Sequence, residues 1–258
     1  MIGKLIINVL ITLVGMAFLV RYFCYFDKKY EKYDKNDNSD KNEKGAGKIS
    51  EKSKKPEMLE FSELKEYIKA KKKFFIISGV FFMVLCCAGT FFAKSNSLAN
   101  YRFMKYFVYT FLLYMAAYTD IRKKLIPNDL IIAMIVARVP FLFAEVFYNM
   151  AKWQVVLKVC GLGFVMSAVV ALVMMLISRG QMGGGDVKLL AVIGLYVGST
   201  NVLTVMLFSF ILSAVGGLGC MIIKKYKAKD TIPFAPFVFL GMLIYFCHLY
   251  TSPSPRDA

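Results

Sequence analysis

Long apolar segments separated by short polar stretches dominate this sequence and restrict the folds open to it. Inside a bilayer every backbone N–H and C=O group needs a partner within the protein, which favours helices over open strands. Because 58% of the 258 residues are hydrophobic, we predict an all-α, polytopic membrane protein. The pattern predicts about eight transmembrane helices, at residues 2–24, 74–92, 101–119, 130–148, 155–177, 187–197, 202–223 and 234–250.

The formal net charge of +16 is concentrated in the predicted loops. With the N-terminus outside, the loops at 24–73, 120–129, 178–186 and 224–232 are cytoplasmic, and they hold nearly all the lysines and arginines. This distribution follows the positive-inside rule and favours contact with anionic lipid. The basic residues lack a recognisable nucleic-acid-binding fold. We therefore expect the lipid bilayer as a partner and no nucleic acid.

Composition also divides the chain into predicted regions. The linker is too polar over residues 27–55 to bury a core, so we expect disorder there. Pro56–Lys73 then reads either as a short amphipathic helix or as a cytoplasmic extension of the next span. The five regions are an N-terminal signal anchor or transmembrane helix (1–25), a cytoplasmic Lys-rich linker (26–73), an extra transmembrane helix and outer loop (74–100), a membrane core (101–250) and a tail (251–258).

Two aspartates stand at the ends of predicted spans. Asp120 follows the third span, and Asp186 follows three consecutive glycines, Gly183, Gly184 and Gly185, at the start of the sixth. A carboxylate at membrane depth is costly and usually faces protein or a water-filled cavity. Because glycines propagate a helix poorly, we expect Asp186 at the mouth of a hydrated cleft where a new helix begins. The predicted topology places both carboxylates on the cytoplasmic face.

Two carboxylates that meet at one membrane face predict an aspartyl protease dyad. Like charges close together cannot both ionise easily, so one carboxyl group keeps a proton. The ionised member takes a proton from water while the protonated member polarises the scissile carbonyl group. Asp186 opens a helix, where the helix dipole favours an anion, whereas Asp120 lies near the C-terminal end of one. We therefore expect Asp186 to be ionised and Asp120 to be protonated in the resting enzyme.

Other catalytic motifs are missing from the sequence. Gly185 is followed by Asp186 and Val187 rather than by the Lys and Ser/Thr of a phosphate-binding loop. The single histidine and the six cysteines lack metal-ligand spacing, so we expect no metal and no cofactor. The spans contain no string of buried ionisable residues, so a proton relay or ion pathway is not expected.

Three motifs together give the sequence a family resemblance. They are Asp120 followed by Ile126-Pro127-Asn128, the run Met182-Gly-Gly-Gly-Asp186-Val-Lys188-Leu-Leu, and Ile232-Pro-Phe-Ala-Pro-Phe237. On these residues the chain resembles the type IV prepilin peptidases, GxGD-type membrane aspartyl proteases that include the preflagellin leader peptidases. The resemblance covers roughly residues 101–250, the family's six-helix core. It assigns the two catalytic positions to Asp120 and Asp186.

The resemblance implies a membrane aspartic-type endopeptidase that removes the basic leader peptide from type IV prepilins or pseudopilins. Such an enzyme acts at the cytoplasmic face of a prokaryotic plasma membrane and serves type IV pilus assembly or protein secretion. Large bacterial members carry C-x-x-C pairs and N-methylate the pilin; a Lys-rich linker stands here instead, which argues against N-methyltransferase activity. Substrate-binding or motif-supporting roles fall to Pro127, Asn128, Gly183, Gly185, Lys188, Pro233, Phe234 and Pro236.

Two other functions stay open on the sequence. One is a GxGD-type protease for other membrane-anchored peptides, and the other is a non-catalytic pilus assembly factor that keeps the fold. Taken singly, Asp120 could pair with Arg122 or Lys123, and Asp186 could be a plain helix cap. Lys188 is interpreted first as a positive anchor at the inner membrane face, although it could also bias the charge of Asp186.

Overall fold

A computed structural model describes residues 2–40, 67–92, 97–178, 182–224 and 232–251. The described residues form helices and no strand, which confirms the predicted all-α class. A short 3-10 turn, Met150–Lys152, joins α4 to α5. The α-helices are α1 (Ile2–Asp40), α2 (Lys72–Phe92), α3 (Ser97–Lys123), α4 (Asn128–Tyr148), α5 (Trp153–Ile177), α6 (Gly184–Val197), α7 (Val202–Lys224) and α8 (Ala235–Thr251).

Several helices have the length and composition of membrane spans, as predicted. Four stretches of the described residues qualify, and Ala235–His248 is a shorter apolar helix; the four are Val9–Lys28, Asn128–Tyr148, Met150–Ile177 and Val202–Gly219. Large apolar side chains point away from the protein on these helices, among them Phe143 at 72% and Leu176 at 78% exposure. Such outward apolar faces suit contact with lipid. The total of eight spans stays a prediction.

The chain divides into two compact units, Met1–Cys87 and Ala88–Ala258. In the first unit the Phe23 ring lies 6.0 Å from that of Phe74, which joins α1 to α2. Asp27 accepts hydrogen bonds from the Tyr67 hydroxyl, at 2.7 Å, and from the Lys71 ammonium group. These contacts hold the helical residues just before α2 against α1.

The first part of the segment predicted to be disordered is helical. Disorder was expected from residue 27, but α1 continues to Asp40. Lysine and glutamate, which argue for a solvated segment, are also good helix formers, so the helix can extend past its apolar part. Residues 41–66 lie outside the described residues, and with them most of the predicted amphipathic helix. The predicted tail lies outside them as well from residue 252.

In the second unit, α3 and α8 pack antiparallel along most of their lengths. The ring of Phe103 lies 5.6 Å from that of Phe246 at one end, and Tyr114 lies 5.6 Å from Phe239 further along. The C-terminal end of α3 therefore reaches the N-terminal end of α8. This pairing brings Asp120 to the first turn of α8.

Helix α6 is short and surrounded by protein. Its 14 residues rise only about 21 Å, less than the roughly 30 Å hydrocarbon layer. It approaches α5 closely, because a Cβ atom built on Gly194 would lie 2.1 Å from the Gly163 carbonyl oxygen. The Tyr196 hydroxyl donates to the Met134 carbonyl oxygen of α4 at 2.7 Å, and the Tyr196 ring stacks on that of Tyr109 in α3 at 4.0 Å. These contacts fix α6 among α3, α4 and α5.

Candidate active site

Asp120 lies in the last turn of α3, buried at 5% exposure. Its Oδ2 atom accepts the backbone N–H of Ala235 at 2.8 Å, so it partners one of the amides that a helix N-terminus leaves unpaired. The chain then turns sharply at Lys124, whose φ of 50° lies in the left-handed region. The Lys124 N–H donates to the Asp120 carbonyl oxygen at 2.7 Å, and this hydrogen bond ends the helix. A reversal at this point lets the loop before α4 pass beside the carboxylate.

Asp186 lies in the first turn of α6 and is half-buried. Its Oδ2 atom accepts the Gly183 N–H at 3.2 Å, and its own N–H donates to the Gly183 carbonyl oxygen at 3.0 Å. This reciprocal pair is the backbone arrangement of a helix start with an acidic third residue. It fixes the orientation of the carboxylate relative to the glycine loop.

The glycines that precede Asp186 meet different surroundings. A Cβ atom on Gly185 would lie 3.2 Å from the Ile126 Cβ, and one on Gly183 would lie 3.3 Å from the Asp186 Oδ2 atom. A Cβ atom on Gly184 would meet nothing within 4 Å. The outer two glycines are therefore constrained by space and the middle one is not, which gives a physical reason for a G-x-G-D pattern.

The two carboxylates lie close enough for their charges to interact. Both stand outside the predicted spans, Asp120 just after the third and Asp186 just before the sixth. Burial, and then repulsion from Asp120, raises the pKa of Asp186 from 3.8 to about 6. Burial also raises the pKa of Asp120, opposed by the Ala235 and Phe234 amides and by Lys124. Among the described residues, the Gly183 amide is the group that lowers the pKa of Asp186.

This geometry favours the reverse of the predicted proton assignment. The prediction considered only the helix that carries each residue, and it put Asp120 at an unfavourable C-terminal end. The structure places the Asp120 carboxylate against the N-terminus of α8, where backbone amides and the helix dipole stabilise an anion. Asp186 is thus the member that holds a proton more readily, and Asp120 is the member better suited to be ionised.

Two other predicted residues join the loops that carry the aspartates. The Lys188 ammonium group donates to the Asn128 Oδ1 atom at 2.9 Å, which connects α6 to the start of α4. Pro127 is buried and caps α4 with an extended backbone. Ile126 was not predicted as a site residue, yet it is the residue against which Gly185 packs. Its position beside Pro127 is the signal that could have identified it.

The third motif supplies the N-terminus that holds Asp120. The Phe234 carbonyl oxygen accepts the first backbone hydrogen bonds of α8, and the Phe234 ring stacks on Phe210 of α7 at 5.9 Å. Pro233 precedes this start and Pro236 lies in the first turn, where proline costs no helix hydrogen bond. Apart from Asp120 in the last turn of α3, the predicted site residues thus lie on the loops and N-terminal turns that begin α4, α6 and α8. Among the described residues, no group of three or more His, Cys, Asp or Glu could hold a metal ion.

A second group of charged residues was missed by the sequence reasoning. Lys105 of α3 and Arg138 of α4 both pair with Glu145 of α4, and the Lys105 Nζ to Glu145 Oε1 distance is 2.8 Å. The expectation that the apolar helices contain no cluster of buried ionisable residues was therefore wrong. Lys105 lies in one apolar run, whereas Arg138 and Glu145 lie in the next, and only folding brings Lys105 to Glu145, 40 positions away. Opposite charges within predicted spans were the available signal.

Fold and site together define a class of protein: an all-helical chain with membrane-type helices, in which two aspartates from separate helix ends lie near one another. Residues 106–218 match the model of the type IV leader peptidase family, which confirms the resemblance predicted from the motifs. The matched segment contains both Asp120 and Asp186. It ends before the proline-containing turn that leads into α8.

Curated proteins named prepilin leader peptidase/N-methyltransferase are similar to this chain. The one from Bacillus subtilis (strain 168) is 32% identical over 142 residues, which cover 55% of this chain and 54% of the relative. The one from Aeromonas salmonicida (strain A449) is 26% identical over 137 residues, 51% of this chain and 45% of the relative. The chain thus spans about half the length of the curated relatives it matches. No solved structure matches it.

Proposed function

We propose that this protein is a membrane aspartyl endopeptidase that removes the basic leader peptide from type IV prepilin-like proteins. The observation that carries the proposal is the approach of Asp120 and Asp186, whose charges interact although 66 positions separate them in the chain. Both belong to the segment that matches a leader peptidase family. Aspartyl peptidases use two carboxyl groups close enough to share a proton, and the electrostatic interaction of Asp120 with Asp186 supports this assignment.

In the proposed reaction Asp120 is the base and Asp186 is the acid. Asp120, as the anion, takes a proton from a water molecule, whose oxygen attacks the scissile carbonyl carbon. Asp186 gives its proton to the carbonyl oxygen, so a neutral tetrahedral intermediate forms. The proton on Asp120 then moves to the leaving amide nitrogen while the C–N bond breaks, and Asp186 recovers a proton from the intermediate. Water is the only co-reactant.

The surrounding residues have supporting roles in this proposal. The Ala235 amide favours the ionised form of Asp120, and Gly183 orients Asp186. Gly185, packed on Ile126, and Lys188, bonded to Asn128, hold the two loops at a fixed separation. Such positioning matters because small displacements of catalytic groups cost large factors in rate.

The proposed substrate is a prepilin or pseudopilin, and the proposed location is a prokaryotic plasma membrane with the active site on the cytoplasmic side. Support for that side comes from the charge distribution, since Arg122, Lys123 and Lys124 follow Asp120 directly and Lys188 follows Asp186. Methyl transfer, which the relatives' names include, is not part of the proposal. The C-x-x-C pairs that accompany it in large bacterial members are missing from this sequence.

The test is cleavage of a candidate prepilin in detergent, with leader loss read by mass. Asp120→Asn and Asp186→Asn should each lower the rate by about 10²–10⁴-fold, because each removes one of the two proton-transfer groups. Asp129→Asn is the matched control, since it removes an exposed carboxylate from the same end of the bundle. The control should cleave like the wild type.

The alternatives give different outcomes in the same experiment. Unchanged cleavage by both Asp120→Asn and Asp186→Asn would remove the catalytic role of the two aspartates. No cleavage of any membrane-anchored peptide by the wild type would favour a non-catalytic assembly factor. If the wild type leaves prepilins intact but cuts other membrane-anchored peptides in an Asp120-dependent way, the substrate assignment is wrong while the chemistry stands.

A further inference from the structure

A cationic cavity lies at the opposite end of the helices from the two aspartates. Lys105 stands 15 positions before Asp120 on α3, which is roughly 22 Å along the helix axis. The cavity has a volume of about 220 Å³, far more than one water molecule needs. Its charged lining consists of three cations, Arg102, Lys105 and Arg138, and one carboxylate, Glu145.

The charges in this cavity are unevenly matched. Glu145 pairs with both Lys105 and Arg138, so one carboxylate faces two buried cations. Arg102 also lines the cavity and is exposed. Buried charges are tolerated when they are paired and hydrogen-bonded. The positive charge that lines the cavity therefore exceeds the negative charge, and a bound anion would compensate for the excess.

The Arg138 guanidinium carries a second, independent sign of incomplete pairing. Arg138 is 3% exposed; its Nε donates to the Leu195 carbonyl oxygen at 2.8 Å and its Nη2 donates to Glu145 and Cys160. Its Nη1 is buried and has no hydrogen-bond partner among the described residues. A buried donor without an acceptor is costly. Since Arg138 lines the cavity, an anion bound there could supply the acceptor.

We propose that this cavity binds a phosphate group carried by an anionic ligand. A guanidinium group suits phosphate because its planar array of donors can bond two oxygens at once, and Lys105 adds a point charge. Val155 and Val156 of α5 also line the cavity, so one side of the site is apolar. A phosphodiester headgroup with its chain along these valines, or free phosphate, meets this chemistry.

The experiment measures the thermal unfolding midpoint of the full chain in neutral detergent. Inorganic phosphate is titrated against chloride at equal ionic strength, and micelles containing phosphatidylglycerol are compared with micelles containing phosphatidylcholine. A ligand that binds the folded state raises the midpoint in a saturable way. A saturable rise with inorganic phosphate identifies a free-anion site. A rise with phosphatidylglycerol alone identifies a lipid headgroup site.

Two variants with different physical effects locate the binding. Arg102→Gln removes the exposed cation without breaking the buried ion pairs, and Val156→Phe fills the cavity while every charge stays. Each variant should weaken the apparent affinity for the ligand at least about tenfold. Arg102→Gln loses one charge-assisted hydrogen bond, and Val156→Phe removes the space that the ligand would occupy. Lys152→Gln is the matched control, because this exposed lysine lies at the same end but does not line the cavity.

The proposal fails if neither phosphate nor phosphatidylglycerol gives a saturable rise with the wild type. It also fails if Arg102→Gln and Val156→Phe both bind as tightly as Lys152→Gln. Because the readout is stability rather than peptide cleavage, these results are independent of the proposed peptidase activity.

Discussion

The two ends of the second unit's helices carry buried charge in opposite ways. At one end, Asp120 and Asp186 bring two like charges together, and backbone amides are their hydrogen-bond donors. Asp186 is only half-buried. At the other end, Lys105, Arg138 and Glu145 bring opposite charges together in a network of hydrogen bonds. The same helices, α3, α4 and α6, build both ends.

The difference shows what each end is suited to do. Like charges in close contact raise the free energy of the ionised pair and keep a proton available for transfer. Opposite charges in close contact compensate for their burial and tie helices to one another. A peptidase needs the first arrangement at its reacting atoms and gains rigidity from the second at a distance. Variants that remove one charge from each end should therefore have opposite effects on stability.

The largest expected effect is on stability at the ion-pair end. Glu145→Gln leaves two buried cations without a carboxylate and should lower the free energy of unfolding by about 3 kcal/mol. Thermal unfolding in detergent measures this loss. A Glu145→Gln protein that is as stable as the wild type would show that the network contributes nothing to holding α3 and α4 together.

Asp186→Asn should act in the other direction at the aspartate end. Because folding raises the pKa of Asp186 from 3.8 to about 6, the folded state loses stability as the pH rises through that interval. The neutral amide avoids this loss, so the variant should be more stable by about 1 kcal/mol at pH 8, after allowance for solvent screening. The gain should fade as the pH falls towards 4. If Asp186→Asn were less stable than the wild type at pH 8, the two ends of the helices would not differ in the expected way.

A smaller effect is expected from the glycines that position Asp186. Gly185→Ala places a Cβ atom 3.2 Å from the Ile126 Cβ and should displace the loop, with a loss of about tenfold in cleavage rate. Gly184→Ala is the matched control because its Cβ atom meets nothing, and it should cleave within about twofold of the wild type. Equal rates for the two variants would mean that the glycine loop does not set the position of Asp186.

The smallest expected effect is a shift in the pH profile. If Asp186 must be protonated, kcat/KM should fall above about pH 6, the pKa given to it by burial and by Asp120. Lys124 lowers the pKa of Asp120, so Lys124→Gln should move the acid side of the profile upward by less than about one pH unit. A profile that is flat between pH 5 and 9 would rule out this proton assignment.

The positions of the helices followed from the sequence with small errors. The predicted spans at 130–148, 155–177 and 202–223 lie within α4, α5 and α7, because the apolar runs end where polar or glycine residues begin. Helix α3 extends past its predicted span at both ends and α1 continues to Asp40. At the C-terminal ends of α1 and α3, charged residues, among them Lys and Arg with good helix propensity, continue a helix that hydropathy alone ends early. The residues of the candidate site could be proposed from the sequence because their motifs are short and local, and their roles stay a prediction.

The contacts between distant residues could not be predicted in the same way. Lys105 and Glu145 stand 40 positions apart. Their opposite charges within apolar runs indicate that each needs a partner, but the sequence does not say which residue that partner is. The same limit explains the reversed proton assignment, since the amide that stabilises Asp120 comes from Ala235, 115 positions away. Ionisation depends on all the groups within a few ångströms, whichever element supplies them.

The sequence by itself determined the helical class and the membrane character of several helices, and it marked out the two aspartates by their motifs, because apolar periodicity and short motifs are local properties. Only the tertiary structure decided which helix terminus meets each carboxylate, which of the two aspartates holds the proton more readily and where the cationic cavity forms. The physical reason is that electrostatic energies depend on distances in space, and helix packing sets those distances.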